Sequence, residues 1–190
     1  MATRSRDGHA WRLGTAADVA WIADGTSPSL ASAALSQTIT AAIPPVFEAY
    51  ATVVLPFGGE RQVKHDQAVL SLLREQSPDQ SWWLGYLDTG TDDIVFPDAP
   101  KVTLYADWHY VLVEAGPDQA ATWRRYDPEL FWTGSVLPNL MFPADRSWLM
   151  STLWDDDWTC LGGPAELTDR FLRHPDLQAR PAVLGEVWRD

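Results

Sequence analysis

Three groupings of side chains in this sequence have types and spacings that chemistry can use. Asp155-Asp156-Asp157 sets three carboxylates in a row, the oxygen ligands that a hard cation such as Ca²⁺ or Mg²⁺ takes. The run lacks the alternation and the distal Glu of an EF-hand loop, so it reads as a solvated turn or a partner-binding loop, and no metal is expected. Cys160 precedes Gly162-Gly163-Pro164, where the amide N–H groups of a helix start would favour a thiolate, with His65 or His109 as its base. A cysteine at an inward strand position also reads as a small core residue. His109 stands between Trp108 and Tyr110, two residues from Asp107, which permits a His–carboxylate pair for general-base work without specifying one.

The signatures of the familiar enzyme classes are missing from the sequence. It holds no G-x-S-x-G, no Walker loop, no G-x-G-x-x-G after a strand, no H-E-x-x-H and no C-x-x-C. No cofactor is expected.

Charge is unevenly distributed along the 190 residues, whose net is −12. Between residues 82 and 118, seven acids, including Asp92, Asp93 and Asp107, face one base, Lys101. Between 145 and 169, six acids, including Asp155, Asp156 and Asp157, face Arg146 alone. Such a field repels nucleic acid and suits a basic protein surface. Six of the 11 Trp (Trp82, Trp83, Trp108, Trp148, Trp154 and Trp158) fall in the same two segments. An indole exposed beside carboxylates binds Arg or Lys by cation–π and charge contacts, whereas a buried one serves the core.

The elements that must position these groups follow from periodicity. Thr15 to Asp18 has the form of a capping box and opens a helix over about 15–23; residues 24–36, rich in small and turn-forming types, read as a flexible loop. Thr52–Leu55 is a buried strand stopped by Pro56, and Gly58-Gly59 turns the chain into a helix over 63–75 carrying Val69, Leu72 and Leu73 on one face. Strands at 83–87, 94–96, 102–105 and 110–113 suggest an antiparallel meander. A helix over 117–125 and a loop containing Pro128, Gly134 and Pro138 come next. A strand over 148–154 then carries Trp148, Met150, Thr152 and Trp154 on one face. A tight turn would set Trp154 opposite Trp158, and Gly162-Gly163 would reverse the chain into a helix led by Pro164.

The expected fold is α+β: a mainly antiparallel sheet with a few packed helices, ending in a β-hairpin followed by a helix, all in a single domain over 1–190. The 46% of apolar residues can build a core without staples, and one cysteine fits a reducing compartment. No stretch approaches the length of a membrane span and the N-terminus lacks an apolar signal region, so a cytoplasmic protein is expected. The abundance of Ala and of Arg over Lys suggests high-GC bacterial coding.

The stretch from Trp82-Trp83 through Asp92-Asp93-Ile94-Val95-Phe96-Pro97-Asp98 resembles an uncharacterised bacterial family, as do Phe142 to Leu149 and Leu153 to Pro164. More distantly, Ile43-Pro44 with Phe47 and Tyr50, and the strand–strand–helix close at Gly162-Gly163, are similar to the SUKH-type superfamily of bacterial immunity proteins. That resemblance implies an α+β binder that neutralises a toxin. The sequence departs from the superfamily where Tyr50 runs into Ala-Thr-Val-Val-Leu instead of a short Asn-Gly-Gly-like turn, so no toxin-contacting residue is carried over.

The leading expectation is a non-enzymatic module that binds a protein partner, a basic one by charge, through Asp92, Asp93, Trp108, Trp154, Asp155, Asp156, Asp157 and Trp158. The rival is an enzyme or small-ligand protein with a Trp-walled pocket that uses His109, Asp107 and Cys160. Neither nucleic acid nor membrane is an expected partner.

Overall fold

Trp82–Leu87 and Tyr110–Val113 are apolar at nearly every position, and a strand of that kind needs cover on both of its faces. The computed structural model shows how that cover is supplied; it describes residues 9–26, 39–90, 95–105, 107–124, 136–153 and 157–186, and the backbone of 3–6. In chain order the elements are β1 (Thr3–Arg6), β2 (His9–Leu13), α1 (Ala16–Gly25), β3 (Ala49–Val54), α2 (Gly59–Gln76), β4 (Trp82–Leu87) and β5 (Val102–Leu104). There follow β6 (Trp108–Ala115), α3 (Pro117–Thr122), β7 (Leu140–Pro143), β8 (Leu149–Ser151), β9 (Trp158–Gly163), α4 (Ala165–Arg173) and β10 (Ala179–Pro181).

The strands form one sheet in the order β1-β2-β6-β4-β7-β8-β9-β3-β10, with β5 paired to β6 off that path. Every pairing among the described strands is antiparallel. The fold is therefore α+β, as the sequence predicts.

Two cores lie on opposite faces. Trp82, Leu84, Tyr86, Val111, Val113 and Leu161 pack with Val69 and Leu73 of α2 and with Leu167 and Phe171 of α4. On the other face, Trp83, Leu112, Phe142 and Cys160 pack with Val19 and Ile22 of α1 and with the 3-10 turn Ile39–Ala41. Trp82 and Trp148 meet edge to face at 5.0 Å, and Trp148 Nε1 donates to Ser77 Oγ at 2.9 Å. Burial of the indoles is the first demand these tryptophans meet.

Helix α1 begins as expected: the Asp18 carboxylate accepts from the Thr15 N–H and hydroxyl, both at 2.8 Å. The helix runs through Gly25, so Asp24 and Gly25 belong to it and not to the expected loop; residues 27–38 lie outside the described residues. Arg12 of β2 binds Asp18 at 3.3 Å and Glu114 of β6, with its guanidinium 4.0 Å above the Trp83 ring.

The middle strands depart from a meander. Strand β6, not β5, lies beside β4, because the long β6 offers one edge to β4 while the other edge takes β5 at Val102↔Tyr110 and β2 at Leu13↔Val113. Val95 and Phe96 are not strand, Phe96 having φ 54°. Strand β7 forms inside the segment expected as a loop, between Pro138 and Pro143, and β1, β2 and β10 were not expected either.

One expectation for the closing unit is corrected and another falls outside the described residues. The β8–β9 register runs from Leu149↔Gly162 to Ser151↔Cys160; the expected facing of Trp154 and Trp158 involves Trp154, which lies outside the described residues. Gly162 and Gly163 do not reverse the chain but are strand residues of β9. A Cβ on Gly162 would stand 2.4 Å from Phe47 Cδ2, so glycine is needed there for close approach of a ring. Pro164 is the N-cap of α4 and lies just outside its first turn.

Candidate functional site

The registers bring several loops to one end of the sheet. Strands β6 and β9 begin there and β3 and β4 finish there, tied by Asp88 N–H to His109 O at 2.8 Å and Leu55 N–H to Asp157 O at 2.7 Å. Asp88, Asp107 and Asp157 all belong to this end. Asp88 is paired with Lys101, which with hydrogen bonding from that lysine and from the Gly90 N–H holds its carboxyl below the usual range. Asp107 is exposed and left-handed at φ 62°, in the turn between β5 and β6.

Among the described residues, the structure does not bring His109 and Cys160 together. His109 is exposed on β6, its Nδ1 3.4 Å from Thr103 Oγ1, whereas Cys160 is wholly buried in β9. Strands β4, β7 and β8 separate them, which at the usual strand spacing is roughly 19 Å. They also point to opposite faces: Cys160 joins the α1-side core, while His109 alternates with Tyr110 and Leu112 of that core. Cys160 thus occupies the place of a small core residue. Trp158, 4% exposed, is equally part of the core and has no indole face to offer a partner, while Trp108 is half-buried against Tyr105. Asp157 is exposed. Asp92, Asp93, Trp154, Asp155 and Asp156 lie outside the described residues. Trp82, Trp83, Trp123, Trp148 and Trp158 are buried, so these five indoles fill the cores.

A cleft of about 200 Å³ opens at the same end of the sheet. Its walls are the end of β3 with Pro56, the first turns of α2, and residues 175–178 between α4 and β10. Gly58 and Gly59, at φ 63° and 68°, turn the chain from β3 into α2 and so set that wall; only glycine enters this region without strain. Opposite, the Leu177 N–H to His174 O bond at 3.1 Å and the Val54 N–H to Gln178 O bond at 2.9 Å fix the other side.

Arg61, Lys64 and His65 line the cleft from one face of α2, at the i, i+3, i+4 spacing that makes helical residues neighbours. His65 is 1% exposed and Asp66 5%. Asp66 Oδ1 lies 3.0 Å from His65 Nδ1 and accepts from Gln62 Nε2 at 2.8 Å, while its Oδ2 accepts from the Val136 N–H at 3.2 Å. The amide donors make Asp66 an acceptor, so His65 Nδ1 carries the proton of their bond. In the neutral ring Nε2 then holds the lone pair, and Nε2 is buried without a hydrogen-bond partner. A buried imidazole oriented by a carboxylate can accept a hydrogen bond or a proton at that nitrogen.

Charge in the cleft runs against that of the molecule. Among the described residues Arg61 has no ion pair, and Lys64 is held only by the exposed Glu60 at 2.7 Å. Asp176 stands on the facing wall.

From its sequence context His65 reads only as a base for Cys160, and the grouping of Gln62, His65 and Asp66 is hidden because polar residues on a helix read as its wet face. A signal was present. The stripe Val69, Leu72, Leu73 runs back by the same spacing to Gln62, His65 and Asp66, all buried, while apolar Val63 is 54% exposed.

No family model, curated protein or solved structure matches this chain. Among the described residues no helix is long and apolar enough to cross a membrane, and no group of three His, Cys, Asp or Glu could hold a metal ion.

Proposed function

We propose that this domain binds a small ligand in the cleft between α2 and residues 175–178, with His65 as the group that receives its hydrogen bond. The observation that carries this reading is the buried His65–Asp66 pair in the cleft wall, with Nε2 unpartnered. A buried polar nitrogen left unsatisfied costs about 1–3 kcal/mol, a cost that a bound ligand with a donor would relieve. Pools of small polar metabolites are expected to shift the ring resonances of His65 in a ¹H–¹³C spectrum and leave those of His109 in place. Shifts confined to His109, or none at His65, would remove the proposal.

Binding of a basic protein partner is a second reading, favoured by the meeting of Asp88, Asp107 and Asp157 at one end of the sheet. It rests on acids, since Trp158 and Cys160 are core residues. A partner recovered from lysate should be lost in moderate salt and from the double variant Asp107→Asn, Asp157→Asn; retention in both would exclude this reading.

A further inference from the structure

We infer that the cleft selects a small monocarboxylate that carries a hydrogen-bond donor, a hydroxy- or amino-carboxylate, an assignment that rests on the ligand-binding reading of the same cleft. The donor requirement comes from His65. Gln62 and Val136 donate to Asp66, the His65 proton is committed at Nδ1, and Nε2 is left as an acceptor in the neutral ring. A ligand that satisfies it must bring an N–H or O–H.

The carboxylate requirement comes from Arg61. It lies four residues before His65, where side chains on a helix start about 5–6 Å apart, so one small molecule spans both groups. Its guanidinium has no ion pair among the described residues, in a chain of 26 acids against 14 bases. A guanidinium takes a carboxylate in a bidentate fork.

Three features narrow the class. Asp176 on the facing wall disfavours a dianion and would welcome an ammonium. The volume of about 200 Å³ is below that of drug-sized sites. Val54, Pro56, Pro175 and Leu177 line the remainder, which suits a short aliphatic body.

Lactate, alanine and propionate test this, since they share a carbon frame and differ in a hydroxyl, an ammonium or neither. Each would be titrated into the whole protein at neutral pH while the His65 ring resonance is followed. Lactate or alanine, or both, should bind at least tenfold more tightly than propionate, because a site built around a hydrogen bond rejects the analogue that lacks it. The better of the two identifies the donor as hydroxyl or ammonium. Propan-2-ol, which has the hydroxyl without the carboxylate, should bind at least tenfold more weakly than lactate. Arg61→Gln, on an exposed position, should weaken the preferred carboxylate at least tenfold. Propionate binding as well as lactate and alanine would overturn the ligand class and leave the cleft reading standing. Failure of every probe to move His65 would overturn both.

Discussion

Arg12 shows how a single side chain organises two elements and sets a pH response. It joins Asp18 of α1 to Glu114 of β6 and covers the Trp83 ring, while Ser81 Oγ donates to Glu114 at 2.6 Å. Burial raises the Glu114 carboxyl, but the hydrogen bonds from Arg12 and Ser81 and the charge of Arg12 outweigh it and hold the group below its ordinary value. Asp18 is depressed in the same way, burial being outweighed by its bonds to Thr15 and by Arg12. Depressed carboxyls stabilise the fold above their unfolded pKa values, and that stability is lost as pH falls through the folded ones. Glu114→Gln is therefore expected to cost roughly 1–2 kcal/mol near neutral pH, with the gap to the native chain closing below about pH 4. Thermal unfolding of both chains across pH checks this, and a gap independent of pH would contradict it. His65 was legible as a residue capable of base chemistry, but its partner Asp66 was not, because adjacency in sequence does not say that both side chains turn inward.

At the scale of elements, close approach decides what glycine does. Strand β9 carries Gly162 because the Phe47 ring occupies the space where a side chain would stand. Gly162→Ala should destabilise the protein by about 1–3 kcal/mol through overpacking, although its backbone is ordinary for a strand. Chemical denaturation measures this; a neutral result would mean that Phe47 moves aside freely. Helix α2 teaches a related point. Its C-terminal half was legible from Val69, Leu72 and Leu73, whereas its N-terminal half buries Gln62, His65 and Asp66 and exposes Val63. Hydrophobic periodicity finds the inward face only where that face is apolar.

Across the whole molecule, one sheet serves as the common wall of two cores. Trp82 and Trp83 are consecutive in β4 yet belong to opposite cores, as do Val111 and Leu112 of β6. Neither core can be lost while the other keeps its wall. Unfolding followed by tryptophan fluorescence and by far-UV circular dichroism should therefore give coincident transitions; separate midpoints would show that the two faces melt independently. The sheet also gathers at one end the acids Asp88, Asp107 and Asp157 and the cleft with Arg61 and Lys64, so opposite charges stand in separate places on the same end.

Local chemistry in the sequence by itself determined the α+β class, the helix capped by Thr15 and Asp18, the strand before Pro56 and the apolar stripe of α2, because each depends on residues near one another in the chain. Only the tertiary structure decided that β6 lies between β4 and β5, that Cys160 and His109 stand on opposite faces with three strands between them, that Trp158 is core, and that His65 with Asp66 lines a cleft. Those outcomes depend on which edge of a strand is already occupied and which helix covers each face. Such choices are settled by competition among distant segments for the same buried surface, and spacing along the chain does not record them.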